Sequence, residues 1–151
     1  MTDAHDYRID VRSTGFKTGT FTPTDEALPA LDVASPPQFG GPEGVWSPEH
    51  LFVAALSSCL MTTFRAIAKA SNIEVLEYSD SATGRLVRDD SRMYAFDLVT
   101  LRPSVVVADE AHIDRTLRIL QKAEAACLIS RSVASEIVME PTVLAAAGAP
   151  A

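Results

Sequence analysis

Two cysteines, Cys59 and Cys127, are the residues of this sequence best suited to carry chemistry. A cysteine thiolate is a nucleophile that can be oxidised to a sulfenic acid or a disulfide. Each cysteine lies on the inward side of a predicted helix, so the two side chains could meet in one core. Free cysteine is also common as a small, inert core residue. The residues alone therefore leave open a redox pair and two buried spectators.

An acidic residue, Glu49, precedes Cys59 by ten positions and lies at the start of the same predicted helix. Ten residues of α-helix rise by about 15 Å, so Glu49 cannot touch the Cys59 thiol of its own chain. If Glu49 serves that thiol, it must do so from a partner chain. The alternative is that its negative charge only favours the helix N-terminus.

The helix that carries Cys59 has start and stop signals. Ser47 can act as its N-cap, Pro48 suits its first position, and Asn72 follows a predicted end near Ala70. The helix is apolar all round, which is typical of burial in a core or an interface and favours a dimer that shares its core. Its nearly uncharged run, residues 51–64, is shorter than the roughly 20 residues of a membrane span. The predicted core stripe is Leu56, Leu60, Thr63 and Ile67.

The rest of the chain predicts strands and one further helix. Residues 110–126 predict a helix capped by Asp109, followed by a short helical turn over 130–135. Pro103 marks an edge, a bulge or a split in the strand that contains it. This order of elements favours an α+β fold with a mostly antiparallel sheet on buried helices. The predicted strands span 5–12, 16–22, 30–33, 74–88, 93–107 and 136–143, and the second helix has a core stripe of Ile113, Leu117 and Leu120.

Composition narrows the functional classes. A length of 151 residues is typical of one domain. The chain contains 47% hydrophobic and 22% charged residues, a composition that excludes a disordered or fibrous protein. A net charge of −7 repels phosphates and anionic lipids, so we expect no nucleic acid and no membrane as partner. Two cysteines are too few for a secreted disulfide scaffold, and the N-terminal residues lack a signal-peptide pattern. These features predict a cytoplasmic protein.

Metal and cofactor chemistry is not favoured. The residues that could bind zinc do not have the spacing typical of zinc ligands; they are His50, Cys59, His112 and Cys127. The sequence also contains no G-x-S-x-G nucleophile elbow and no phosphate-binding loop. We therefore expect no metal and no cofactor.

The segment Ser47 to Cys59, SPEHLFVAALSSC, resembles the pattern around the first cysteine of the OsmC/Ohr family. These are the osmotically inducible and organic hydroperoxide resistance proteins. In that family a glycine-rich loop leads to Asn/Ser-Pro-Glu, then a run of Leu and Ala, then a cysteine ten residues after the Glu. A second cysteine follows a late helix, as Cys127 does here. The resemblance extends over residues 7–143.

The resemblance implies an OsmC-like α+β fold. Mainly antiparallel sheets would wrap around long central helices in an intertwined homodimer. Residues 1–143 would form a single OsmC-like domain, and residues 144–151 would be a disordered or frayed tail.

The resemblance also implies a thiol peroxidase that uses neither metal nor flavin. Cys59 would attack a small organic hydroperoxide and become a sulfenic acid, and Cys127 would resolve it to a disulfide. A dithiol reductant, such as a lipoyl group, would then reduce that disulfide. Glu49 would organise the site from the partner subunit.

Three positions depart from the family pattern. OsmC-type members have an arginine before a Phe, and this chain has Gln38 before Phe39. Ohr-type members have it in the first hairpin, where this chain has Lys17 and, less well placed, Arg12. A lysine supplies charge without the bidentate fork of arginine. Leu128 stands where a Pro usually follows the second cysteine. Family membership is thus better supported than peroxidase activity.

Other interpretations remain open at this point. Phe39, Trp46 and Phe52 either pack in a core or form an apolar wall that favours organic hydroperoxides. A different class of function is a non-enzymatic module that binds an apolar or acyl ligand at the dimer interface, or a slow redox sensor. A thiol-dependent hydrolase is less favoured, because no histidine has an evident place beside Cys59.

Overall fold

The structure is a computed structural model that describes residues 3–24 and 27–147. The chain divides into two compact units, Met1–Phe52 and Val53–Ala151. The first unit holds a small sheet and the loop that leads into the long helix. The second holds most of that helix, a second helix and two further sheets.

The first unit contains a three-stranded antiparallel sheet in the order β1-β2-β3. A hairpin joins the first two strands, with Ser13 paired to Gly19 and the Thr14 N–H donating to the Thr18 carbonyl. The three strands predicted in this region are confirmed, with ends that differ by a few residues. Their bounds are Ile9–Ser13 (β1), Thr18–Pro23 (β2) and Leu31–Ala34 (β3).

The first hairpin carries large apolar side chains that are exposed. Tyr7, Ile9 and Val11 alternate along the chain, as the sequence predicts for one face, yet they are 94%, 54% and 65% exposed. Phe16, in the hairpin turn, is 97% exposed. Within the described residues, the first unit therefore exposes a strip of large apolar side chains.

The long helix α1 spans Pro48–Ala70. Its predicted N-cap is confirmed, because the Ser47 Oγ accepts the His50 N–H at 3.2 Å and also contacts the His50 Nδ1 at 2.8 Å. At the other end Asn72 adopts a positive φ of 54°, and the Ile73 N–H returns to the Ala68 carbonyl. This left-handed ending satisfies carbonyls of the last turn.

Helix α1 buries one straight stripe at i, i+4 spacing: Leu56, Leu60, Phe64 and Ala68. The predicted stripe is right at Leu56 and Leu60 and wrong at Thr63 and Ile67, which are only half-buried. The Phe64 ring packs on Tyr78, with 5.6 Å between ring centroids. By length and composition alone α1 would also suit a membrane span, a test that core helices of globular domains pass as well.

The second unit contains two three-stranded sheets, ordered β4-β7-β9 and β5-β6-β8. The segments predicted as single strands over 74–88 and 136–143 are each split, and their halves join different sheets. The split at Pro103 is one of the predicted outcomes for that residue. The strands are Val75–Asp80 (β4), Thr83–Arg88 (β5), Tyr94–Leu101 (β6), Pro103–Val107 (β7), Glu136–Met139 (β8) and Thr142–Ala145 (β9).

Arg102 lies in one of the three strand breaks and hydrogen bonds to residues at the other two. Its main-chain N–H donates to the Asp80 Oδ1 at 2.7 Å, and its guanidinium donates to Thr83 at 2.9 Å and to Glu140 at 2.8 Å. Pro103 has no N–H for a strand ladder, which ends β6 at this point. Side chains distant in sequence therefore decide where the strands divide.

The second helix α2 spans Ile113–Ala126, after a 3-10 turn that Asp109 caps by accepting the Ala111 N–H. The predicted stripe is right at Leu120 but wrong at Ile113 and Leu117, which are half-buried. Cys127 ends the helix, and a 3-10 turn follows at Ser130–Ser132. The buried residues of α2 are Thr116, Ile119, Leu120 and Ala123.

The last strand reaches into the segment predicted as a frayed tail. Leu144 and Ala145 belong to β9 and pair with Val106 and Val107 of β7. The prediction is therefore wrong for these two residues, because a parallel neighbour strand satisfies their backbone. Residues 148–151 lie outside the described part of the chain.

We expect Asp80→Ala to lower the free energy of unfolding by about 1–3 kcal/mol, because it leaves two donors without their acceptor. These are the Ser57 hydroxyl of α1, at 2.6 Å, and the Arg102 amide. Asp90→Ala, in the exposed 89–92 turn, should change it by less than about 0.5 kcal/mol. Urea unfolding measures both variants, and equal losses would contradict the role given to Asp80.

Candidate active site

The structure brings the two cysteine side chains into contact. Cys59 lies in the middle of α1, and Cys127 is the residue at which α2 ends. The two thiols interact closely enough for Cys127 to lower the pKa of Cys59. Cys127 is fully buried and Cys59 is half-buried, and both are free thiols. The partly open thiol is thus the one that a solute can reach.

The position of each cysteine follows from helix periodicity. Cys127 continues the buried stripe of α2 four residues after Ala123, so it points into the core. Cys59 lies beside the buried stripe of α1 and not on it. Its neighbour one turn later on this flank is Thr63, whose hydroxyl hydrogen bonds to the Cys59 sulfur.

The main chain after Cys127 supplies two more donors. Cys127 leaves the helical conformation, with φ −63° and ψ 118°, and the chain turns. The backbone N–H groups of Leu128 and Ile129 lie where they lower the pKa of the Cys59 thiol. Sequence reasoning missed these donors because every residue except proline has an N–H. The one available signal was Leu128 at a position where the family usually has Pro.

These contacts shift the pKa values of the two thiols in opposite directions. Burial raises the pKa of Cys59, but the hydrogen bonds from Cys127, Ile129, Leu128 and Thr63 outweigh burial and leave it below its ordinary value. Burial raises the pKa of Cys127, and its hydrogen bond to Cys59 raises it further. When the pair loses one proton, Cys59 is therefore the sulfur that carries the negative charge.

Glu49 lies in the first turn of α1. Its Oε2 atom is buried and has no hydrogen-bond partner among the described residues. Since α1 is continuous from Pro48 to Ala70, its rise holds Glu49 and Cys59 of one chain about 15 Å apart. A buried carboxylate oxygen without a donor is costly.

Lys17 and the turn that carries Gln38 and Phe39 are joined within the first unit. The Lys17 ammonium donates to the Phe39 carbonyl, and the Lys17 carbonyl accepts the Ser35 N–H at 3.0 Å. Gln38 is exposed on a 3-10 turn, Pro37–Phe39, that ends at Gly40 with a positive φ of 77°. A Cβ at Gly40 would lie 2.9 Å from the Lys17 Nζ, so glycine leaves room for this cation.

The two other aromatic residues of the predicted wall also belong to the first unit. Trp46 is 51% exposed, and its carbonyl accepts the Ala34 N–H at 2.9 Å. Phe52 is half-buried in the second turn of α1. Trp46 is thus held by its backbone, while its ring remains open to solvent.

Comparison with known proteins identifies related chains. A family model described as OsmC-like protein matches residues 41–142. The uncharacterized protein YmaD of Bacillus subtilis is 23% identical over 111 residues, which cover 72% of this chain and 73% of YmaD.

Solved structures share the fold. An OsmC-like protein of unknown function from Vibrio cholerae matches with a TM-score of 0.83 and 24% identity, covering 91% of this chain and 99% of that one. An organic hydroperoxide resistance protein from Legionella pneumophila matches with a TM-score of 0.69 and 20% identity, covering 93% of this chain and 99% of that one. The organic hydroperoxide resistance protein OhrB of Bacillus subtilis matches with a TM-score of 0.63 and 20% identity, covering 92% of this chain and 98% of OhrB. The predicted OsmC-like α+β fold, with antiparallel-rich sheets and a long helix, is confirmed.

We expect alkylation of Cys59, followed peptide by peptide, to reach its half-maximal rate at lower pH than alkylation of Cys127. The thiolate is the reactive form, and the two pKa shifts have opposite signs. Cys127→Ala should move the Cys59 midpoint to higher pH, because it removes a donor. Cys127→Ser keeps a hydroxyl donor and should move it less. An unchanged midpoint in both variants would contradict the hydrogen-bonded pair.

Proposed function

Since the chain belongs to the OsmC-like protein family, we propose that it is a thiol peroxidase that reduces organic hydroperoxides in the cytoplasm through Cys59 and Cys127. The observation that carries this proposal is the hydrogen-bonded cysteine pair, in which the half-open sulfur is the more acidic one. Two structural relatives are named organic hydroperoxide resistance proteins, which supports the substrate class.

In the first step the Cys59 thiolate attacks the terminal oxygen of the hydroperoxide. The S–O bond forms as the O–O bond breaks, and the alkoxide leaves with a proton as the alcohol. Sulfur is oxidised by two electrons to the sulfenic acid, and the peroxide is reduced by the same two. The donors around Cys59 favour this step because they favour its thiolate.

In the second step Cys127 attacks the Cys59 sulfenic acid. The S–S bond forms, the S–O bond breaks, and the hydroxyl leaves as water with the Cys127 proton. The existing contact between the two side chains means that little movement is needed. A small dithiol, such as a lipoyl group, then reduces the disulfide by two exchange steps and is itself oxidised to a disulfide.

We propose that the functional form is a homodimer in which Glu49 reaches the thiol of the partner subunit. The buried, unpartnered Oε2 of Glu49 supports this, since the helix rise prevents contact with Cys59 of the same chain. The exposed apolar strip around Tyr7, Ile9 and Val11 supports a covered interface. The substrate-binding wall would then consist of five residues: Gln38, Phe39, Trp46, Phe52 and Lys17.

A non-enzymatic module on the same fold is the second candidate function. Lys17 is already bonded to the Phe39 carbonyl, and Gln38 carries no charge, so neither supplies a free cation for a peroxide. An apolar or acyl ligand would then occupy the dimer interface, with the cysteines as spectators. A small molecule that co-purifies and is detected by native mass spectrometry, together with absent turnover, would favour this function.

We expect Cys59→Ser to abolish turnover of cumene hydroperoxide, because it removes the attacking sulfur. Cys127→Ser is the matched control: it should still react once and accumulate a Cys59 sulfenic acid, which dimedone traps for mass spectrometry. The unaltered protein should lose both thiols after one equivalent of peroxide. Turnover that persists in Cys59→Ser would refute the assignment.

We expect inactive Glu49→Gln chains and inactive Cys59→Ser chains to recover turnover when they are mixed and allowed to exchange. A mixed dimer has one complete site only if Glu49 acts across the interface. The control partner is a chain that carries both substitutions, which should give no recovery with Glu49→Gln. Chains that are dimeric by ultracentrifugation but show no recovery would rule out action across the interface.

A further inference from the structure

A groove of about 670 Å³ lies at the C-terminal end of α1, where the chain turns into β4. The last two turns of the helix and the residues that follow it line the groove, and all of them belong to the second unit. Small-molecule sites in proteins typically have volumes of about 300–1,000 Å³, so the groove is large enough for a ligand. Its lining does not include Cys59 or Cys127.

Two cationic side chains of the helix, Arg65 and Lys69, line this groove. Both are exposed, and their spacing of four residues places them side by side on the helix surface. Among the described residues, neither forms an ion pair with an acidic side chain. Like charges at this spacing repel each other, so an anion that contacts both is favoured.

The Arg65 side chain is already held in position. Its guanidinium donates to the Val75 carbonyl at 3.2 Å, at the start of β4. A guanidinium has five N–H donors in a planar fork, so this one bond leaves donors for a flat carboxylate. A side chain held before its ligand arrives loses less freedom on binding, which favours affinity.

The rest of the lining is mainly aliphatic. Ala66 is exposed and Val75 is half-buried, while Ala68 and Ile73 lie almost fully buried in the lining. An alkyl group that lies on these side chains leaves water, which is favourable. The groove thus combines positive charge with an apolar surface.

We propose that this groove binds an aliphatic carboxylate, with the carboxylate between Arg65 and Lys69 and the alkyl chain along the aliphatic lining. The proposal goes beyond the peroxidase function and does not depend on it. Glu74 is the acidic residue of the lining, so the two cations leave an excess of one positive charge. A carboxylate carries one negative charge, whereas a phosphate monoester carries nearly two.

The length of the groove sets the length of the ligand. The lining runs from Arg65 to Asn72, over which a helix rises by about 10 Å. An extended chain advances by about 1.2 Å per bond, so a straight chain of about eight to ten carbons matches this length. Decanoate is therefore a suitable probe.

We expect decanoate to bind the full chain saturably in isothermal titration calorimetry, at one site per chain. Decanol has the same alkyl chain without the charge, and acetate has the charge without the chain. Each should bind at least about tenfold more weakly, because each lacks one half of the interaction. Decanoate that does not bind saturably, or that binds no better than decanol, would overturn the proposal.

Lys69→Gln should weaken decanoate binding by about tenfold, because it removes one of the two charges and no hydrogen bond of the described structure depends on the Lys69 side chain. Arg65→Gln should weaken binding at least as much. The matched control is Arg118→Gln with Lys122→Gln, an exposed Arg and Lys four residues apart on α2 that do not line the groove. Equal weakening in the control would show unspecific attraction to cations and overturn the proposal.

Glu74→Gln tests the site by a gain of affinity, which damage to the fold does not produce. It removes the acidic side chain of the lining, so decanoate should bind about twofold to threefold more tightly. An affinity that does not rise would overturn this placement of the carboxylate.

Cys59→Ser separates this site from the peroxidase. The variant lacks the attacking sulfur but keeps every lining residue, so it should bind decanoate as the unaltered protein does. Binding with no peroxide turnover in the unaltered protein refutes the peroxidase function and leaves the carboxylate site standing. Turnover without decanoate binding refutes the carboxylate site alone.

Discussion

The chemistry of this protein depends on one contact, between the Cys59 sulfur in the middle of α1 and the chain that leaves α2 at Cys127. Both helices carry buried residues: Leu56 and Leu60 of α1, and Leu120 and Ala123 of α2, are all inaccessible to solvent. Cys127 extends the second stripe into the core, while Cys59 flanks the first and keeps access to solvent. The two thiols therefore differ in their access to solvent.

An acidic side chain at the strand breaks around Arg102 also binds helix α1. Because β4 and β5 part at Asp80, one carboxylate can bind both the Arg102 amide and the Ser57 hydroxyl, two residues before Cys59 in α1. The same side chain therefore ends a strand and attaches the helix that carries the thiol. Polar groups in an otherwise apolar unit fix the alignment of its elements, which apolar burial alone specifies less sharply.

The two positions that the sequence analysis compared with an arginine supply no free cation within the first unit. Lys17 uses its charge on the Phe39 carbonyl, and Gln38 is neutral. The pKa of Cys59 is lowered by uncharged groups, first the Cys127 thiol and then the main-chain amides of Ile129 and Leu128. A chain with net charge −7 can favour a thiolate in this way without a cation, because fixed N–H dipoles act at hydrogen-bond distance, where the overall charge of the protein matters little.

Local signals in the sequence determined both helices, the caps at Ser47 and Asp109, the first hairpin and the inward direction of Cys127. Each of these features depends on residues a few positions apart in the chain. Helix periodicity and capping rules apply at that range, so the sequence alone predicts them. Only the tertiary structure decided which strands divide, that Phe64 and not Thr63 is buried, and which amides reach Cys59. These outcomes join residues far apart in the chain, as in Arg102 with Glu140 or Cys59 with Leu128. An N–H is common to nearly all residues, so only the path of the backbone shows which one becomes a donor.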